Sequence, residues 1–296
     1  MKQLFFLLLF SSLSQAETIV HTVKWEKGVN KKVVKEWSFS LDKISTNSST
    51  TYIKKKVGGK DSLHIKGHRD VIIWIPSSTN LSEQITVVIW FHGHWGFVPK
   101  RTFEDRTLKQ FNPKIPEKNF VLVIPEMPWT VHGKTPTKRN SLVWKKQGNF
   151  LKFINQVEKT IIEHLDEKTK NGNAKATKEK FRKFDYRIVG HSAGGSTIKR
   201  LGINGDLCRI NPSMVVWSDS SYGPWLRLAW NGCLKKRRDI KIKVFVSKGD
   251  SPWKRALQFI DTFKVVPENL KLFIMKKPKW KHKTIGDNIV KLSGVL

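Results

Sequence analysis

The chain has 296 residues, 39% hydrophobic and 11% aromatic, which is enough apolar side chain to fill a core and excludes a wholly disordered chain. Two cysteines exclude a disulfide-built scaffold and a four-cysteine zinc site. Lys and Arg number 55 against 24 Asp and Glu, and the net charge of +31 predicts attraction to polyanions while saying nothing about the fold.

Met1 to Ala16 reads as an export signal. Lys2 is its positive end, Leu4 to Phe10 is an apolar run too short to span a bilayer, and Ser14-Gln15-Ala16 supplies small residues for cleavage after Ala16. No later apolar run reaches membrane-spanning length, so the mature chain is expected to be exported, secreted or periplasmic, with no transmembrane segment. Residues 17–65 form a polar, Lys- and Thr-rich β-rich extension, with short strands expected in ETIVHTVKW and EWSFSLDKI.

From Arg69 the texture changes. RDVIIWIP (69–76), ITVVIWF (85–91) and FVLVIPE (120–126) are dense in β-branched residues and bounded by turns, as strands buried on both faces are. Phe150, Phe153, Ile154, Val157, Ile161 and Leu165 recur at helical spacing, and 168–183 reads as a basic loop. Strands follow at 186–190, 214–217, 242–246 and 270–275. Helices begin at Ser192 and cover 252–263, and another closes the chain. Buried strands alternating with helices predict a mostly parallel central sheet with helices on both faces. No repeat or Pro-rich linker interrupts 17–296, so one domain is expected. In an exported chain, Cys208 and Cys233 are the one possible intramolecular disulfide.

Gly190-His191-Ser192-Ala193-Gly194 is a G-x-S-x-G at the end of an apolar strand. A sharp strand-to-helix turn there exposes the Ser192 hydroxyl, and the glycines remove side chains that would collide across the turn. A hydroxyl needs a base, and His282 alone among the nine histidines lies downstream, in a loop past the last strand. The acid that orients it is expected to be Asp250, which ends VFVSKGD. Asp219, which ends VVWSD, is the alternative, because both emerge at the carboxyl edge of the sheet. Two N–H donors for an oxyanion are expected from Ala193 and from His94 or Gly93, in the loop His92-Gly93-His94 after strand 85–91.

This order of oxyanion loop, nucleophile elbow, acid and histidine resembles the α/β-hydrolase superfamily over roughly 65–296, in texture closest to secreted esterases. The resemblance implies an α/β-hydrolase fold and a serine hydrolase that works through an acyl-enzyme, with no metal or organic cofactor. An ester of a small acyl group is the expected substrate, with the basic surface hinting at an anionic carrier.

Rival readings are specific. A serine peptidase or an acyltransferase uses the same triad. His92 and His94 form an H-x-H that on a strand would present two imidazoles to a metal, although no carboxylate or third histidine stands nearby in sequence. Ser196-x-x-Lys199, Ser218-Asp219-Ser220 and Lys283-Thr284-Ile285 follow the order of penicillin-binding proteins, but the last two each miss their final residue. A non-enzymatic polyanion- or glycan-binding protein with Trp95, Trp129, Trp225 and Trp253 lining a cleft is the remaining alternative. No nucleic-acid module is recognisable.

Overall fold

A computed structural model describes residues 17–23, 32–38, 51–57, 60–66, 69–76, 79–93, 119–125, 144, 146–171 and 184–296. The expected signal segment, His94, Trp95 and Trp129 lie outside them. Eleven strands are described, nine of them in one sheet: β1 (Glu17–Val23), β2 (Lys32–Ser38), β5 (Arg69–Ile75), β6 (Ile85–Phe91), β7 (Phe120–Pro125), β8 (Phe184–His191), β9 (Met214–Ser218), β10 (Lys241–Ser247) and β11 (Leu270–Met275). The other two, β3 (Thr51–Val57) and β4 (Lys60–Lys66), pair with each other as an antiparallel hairpin.

The sheet order is β11-β10-β9-β8-β6-β7-β5-β1-β2. The six strands from β11 to β7 run parallel, and β5, β1 and β2 add to the β7 edge as antiparallel neighbours. The N-terminal extension therefore contributes two strands to the main sheet: β1 matches β5 residue for residue from Glu17↔Ile75 to Val23↔Arg69.

The period-two geometry of strands separates two cores. Ile85, Val87, Ile89 and Phe91 of β6 point to one face, together with Val121, Ile188, Val215, Trp217 and Val244. The helices that pack there include α1 (Asn149–Asn171), α2 (Gly195–Ile203), α4 (Trp225–Gly232) and α5 (Ser251–Ile260). The six apolar positions expected on a helix at 150–165 are all buried along α1. Val88, Trp90, Val189, Val216 and Phe245 point the other way, where Ile285, Ile289 and Val290 of α6 (His282–Ser293) cover them. A mostly parallel sheet in this strand order, with helices on both faces, is the α/β-hydrolase fold.

Two long-range ties hold the helical layer. Asp206 opens the short helix α3 (Asp206–Arg209), and its carboxylate accepts the N–H of Gly148 at 2.8 Å and of Phe150 at 3.3 Å. A fully buried carboxylate thus satisfies the orphan donors at the start of α1 and meets the positive end of its dipole. Cys208 and Cys233 form the expected disulfide, with Cα atoms 6.1 Å apart, joining α3 to the end of α4. Among the described residues, no helix is long and apolar enough to cross a membrane.

Candidate active site

Strand register gathers the site. Phe91, Gly190, Trp217 and Val244 are aligned across β6, β8, β9 and β10. Gly93, Ser192 and Asp219 each stand two residues past that line, side by side at the carboxyl edge. Asp250 stands six residues past it.

Ser192 begins a single 3-10 turn (Ser192–Gly194) between β8 and α2, and its φ is +52°. A non-glycine residue in the left-handed region is uncommon and costs on the order of 1 kcal/mol or more. The fold over-determines it. A Cβ added at Gly194 would lie 2.0 Å from the Phe91 carbonyl oxygen, so the turn and β6 approach as closely as backbone allows. The strained turn aims the Ser192 side chain at the next loop, where a Cβ at Gly93 would stand 2.8 Å from Ser192 Cβ and 3.3 Å from Oγ. The Gly93 backbone therefore lies directly against the hydroxyl. The buried Ala193 follows Ser192 at the N-terminal end of the helical segment, where backbone N–H groups and the dipole favour negative charge. His94 lies outside the described residues.

His282 is the first residue of α6, not part of a loop. Its Nδ1 and Oδ2 of Asp219 are 2.6 Å apart. Asp219 has no exposed surface, and its other oxygen, Oδ1, accepts the Ser247 N–H at 3.0 Å. Its own N–H donates to the Phe245 carbonyl at 2.8 Å and its φ is +46°, a conformation Asp tolerates better than most residues. Both carboxylate oxygens are thus engaged, one by β10 and one by the imidazole.

The expected pairing of Asp250 with His282 is therefore corrected. Asp250 precedes α5, keeps 33% of its side chain exposed and meets Lys277 Nζ at 2.8 Å. That ammonium holds the Asp250 carboxyl below the usual carboxylate range. The physical reason is distance along the chain. Lys248 and Gly249 carry Asp250 outward past the end of β10, whereas Asp219 leaves β9 at once.

Two residues with no expected part in the site adjoin it. Tyr222 lies three residues after Asp219, and its ring meets His282 edge-on at 6.4 Å and Trp225 at 5.5 Å. Burial first, and the Asp219 charge second, push its phenol pKa up, while the Ser192 hydroxyl acts the other way. His191 stacks on His282, ring centres 4.8 Å apart. An aromatic loop residue and a variable position of a turn motif carry no distinguishing signal in sequence.

Buried His92 has Nδ1 2.8 Å from the Gly93 carbonyl, and among the described residues no three His, Cys, Asp or Glu side chains cluster as metal ligands. Ser196 is buried within α2, and Lys199 Nζ lies over the Trp225 ring at 5.4 Å. Trp225 and Trp253 are partly buried against the helical core.

No family model matches the chain, and no curated protein matches it in sequence. Solved structures do. Est1E from Butyrivibrio proteoclasticus is similar over 84% of this chain and 98% of its own, at 11% identity and a TM-score of 0.40. FphF, a fluorophosphonate-binding serine hydrolase of Staphylococcus aureus, is similar over 83% and 97%, at 13% identity and a TM-score of 0.48. The feruloyl esterase module from Clostridium thermocellum is similar over 84% and 90%, at 12% identity and a TM-score of 0.45.

Proposed function

We propose that this chain is an exported serine hydrolase of carboxylic esters, with Ser192 as nucleophile, His282 as base and Asp219 as the acid that orients it. The observation that carries the reading is the 2.6 Å contact of His282 Nδ1 with buried Asp219, at the same sheet edge as a hydroxyl held at a strained φ of +52°. An orienting carboxylate on Nδ1 leaves Nε2 as the atom that takes a proton.

Ser192 Oγ attacks the ester carbonyl carbon while His282 Nε2 takes its proton. The imidazolium is stabilised by Asp219, which stays ionised. The carbonyl oxygen becomes an oxyanion facing the N–H groups of Ala193 and of Gly93 or His94. The intermediate collapses by expelling the alkoxide, which receives the proton from His282, and leaves an acyl group on Ser192. Water then adds with His282 as base, and the same steps release the acid and restore Ser192.

Lys279, Lys281 and Lys283 flank His282 in sequence and are exposed, which supports an ester borne on an anionic carrier. The Cys208–Cys233 disulfide supports export to an oxidising compartment. The test is turnover of an activated small-acyl ester by wild-type protein and by Ser192→Ala. The reading expects the variant to lose at least about 10³-fold in kcat while its unfolding midpoint is kept. Equal turnover by the two proteins refutes it.

A further inference from the structure

His191 adjoins the nucleophile, and the steps above give it no part. Its ring nevertheless touches the segments that carry two of the three proposed groups, Asp219 and His282. Nδ1 lies 3.0 Å from the Ser218 carbonyl oxygen and 3.2 Å from Ser218 Oγ, and Ser218 immediately precedes Asp219. A carbonyl only accepts, so Nδ1 carries the hydrogen. The face of the ring lies on the face of His282, with centres 4.8 Å apart and planes 27° apart.

The edge of the ring enters a notch in α6. A Cβ at Gly286 would lie 2.5 Å from His191 Cε1, 2.8 Å from Nε2 and 2.9 Å from Nδ1. Gly286 is four residues after His282, so notch and base share one helix face, a turn apart.

The hydrogen bond that His282 Nδ1–H donates to Asp219 fixes where Nδ1 sits. It leaves the ring free to rotate about that contact. A second surface against the ring face removes that freedom, and His191 is that surface. The surface must also be uncharged, because His282 becomes a cation during the reaction and a second cation 4.8 Å away would oppose it. Burial first, then His282 from α6 and His92 from the end of β6, hold His191 down to about 3, against the pull of the Ser218 carbonyl.

We infer that His191 is a positioning residue, a neutral spacer that clamps His282 against Asp219 from the Gly286 notch. The inference rests on the assignment of Ser192 and His282 proposed above.

The test is a double-mutant cycle on kcat and KM for an activated ester, with unfolding midpoints recorded for each protein. His191→Ala is expected to lower kcat about 10–100-fold, as a misplaced base does, and to leave KM within about two-fold. Gly286→Ala in the wild-type background is expected to lower kcat comparably, because the new methyl displaces the ring. In the His191→Ala background the same substitution is expected to cost nothing further. A folded His191→Ala protein with kcat within two-fold of wild type overturns the inference, as does a Gly286→Ala loss of the same size with and without His191. Should His191→Ala fail to fold, His191→Asn decides. It keeps a donor for Ser218 but not the stacked face, so a kcat unchanged from wild type overturns the inference and a 10–100-fold loss supports it. Wild-type protein that turns over no ester removes the site assignment itself, whereas active wild type with additive substitutions removes only the role of His191.

Discussion

Asp219 and Asp250 are both aspartates at the carboxyl edge of neighbouring strands, and their surroundings decide between them. Asp219 is sealed from solvent and spends one oxygen on Ser247 and one on His282. Asp250 is one-third exposed and paired with Lys277, a contact worth less than about 1 kcal/mol at such a position. Asp219→Asn should therefore lower kcat by about 10³–10⁴-fold, because an amide at that site can donate to Nδ1 and select the wrong tautomer. Asp250→Asn should stay within about three-fold of wild type. Steady-state rates of the two variants on one ester check this, and the opposite ranking would return the role to Asp250. Ser192 was legible in sequence because a turn this tight demands glycine on both sides of the serine. The acid was not. Both candidates end apolar strands, and the outcome depends on how far each loop carries its carboxylate, which no local pattern records. His191 and Tyr222 were hidden for a related reason: the ring that each meets, His282, lies ninety and sixty residues downstream.

At the scale of elements, the parallel strands were readable because a strand buried on both faces becomes a continuous apolar run, as in ITVVIWF. Helix α1 was readable from its long 3.6-residue period. The eight-residue α4 has only Leu226, Ala229 and Trp230 buried, too few to set a period, and sequence reasoning passed over it. The hairpin of β3 and β4 was also missed, since TYIKKKV and KDSLHIK lack clean alternation. Joining of β1 to β5 is a pairing across some fifty residues that the strand sequences do not specify. The disulfide carries a prediction at this scale. It closes a loop between α3 and the end of α4 with a sequence separation of 25, which should contribute about 3 kcal/mol by restricting the unfolded chain. The Cys208→Ser, Cys233→Ser double variant should lose roughly 5–10 °C in Tm by scanning calorimetry. A midpoint unchanged within a degree would show that α2 and α4 hold this layer without it.

For the whole molecule, composition and chemistry point in different directions and both matter. The charge of +31 comes from lysines and arginines along the entire chain. The proposed chemistry rests on a few groups that composition does not reveal, brought together from β6, β8, β9 and α6 by sheet register. Exposed Lys279, Lys281 and Lys283, which flank His282 in sequence, are where the two meet. The central claim is that folding makes one hydroxyl, and only one, a nucleophile. Intact-protein mass spectrometry after exposure to a fluorophosphonate tests it most directly. The account predicts a single adduct per folded chain, mapping to Ser192 and missing from both Ser192→Ala and heat-unfolded protein. A folded wild-type chain that takes up no adduct, or carries it on another residue, would contradict it.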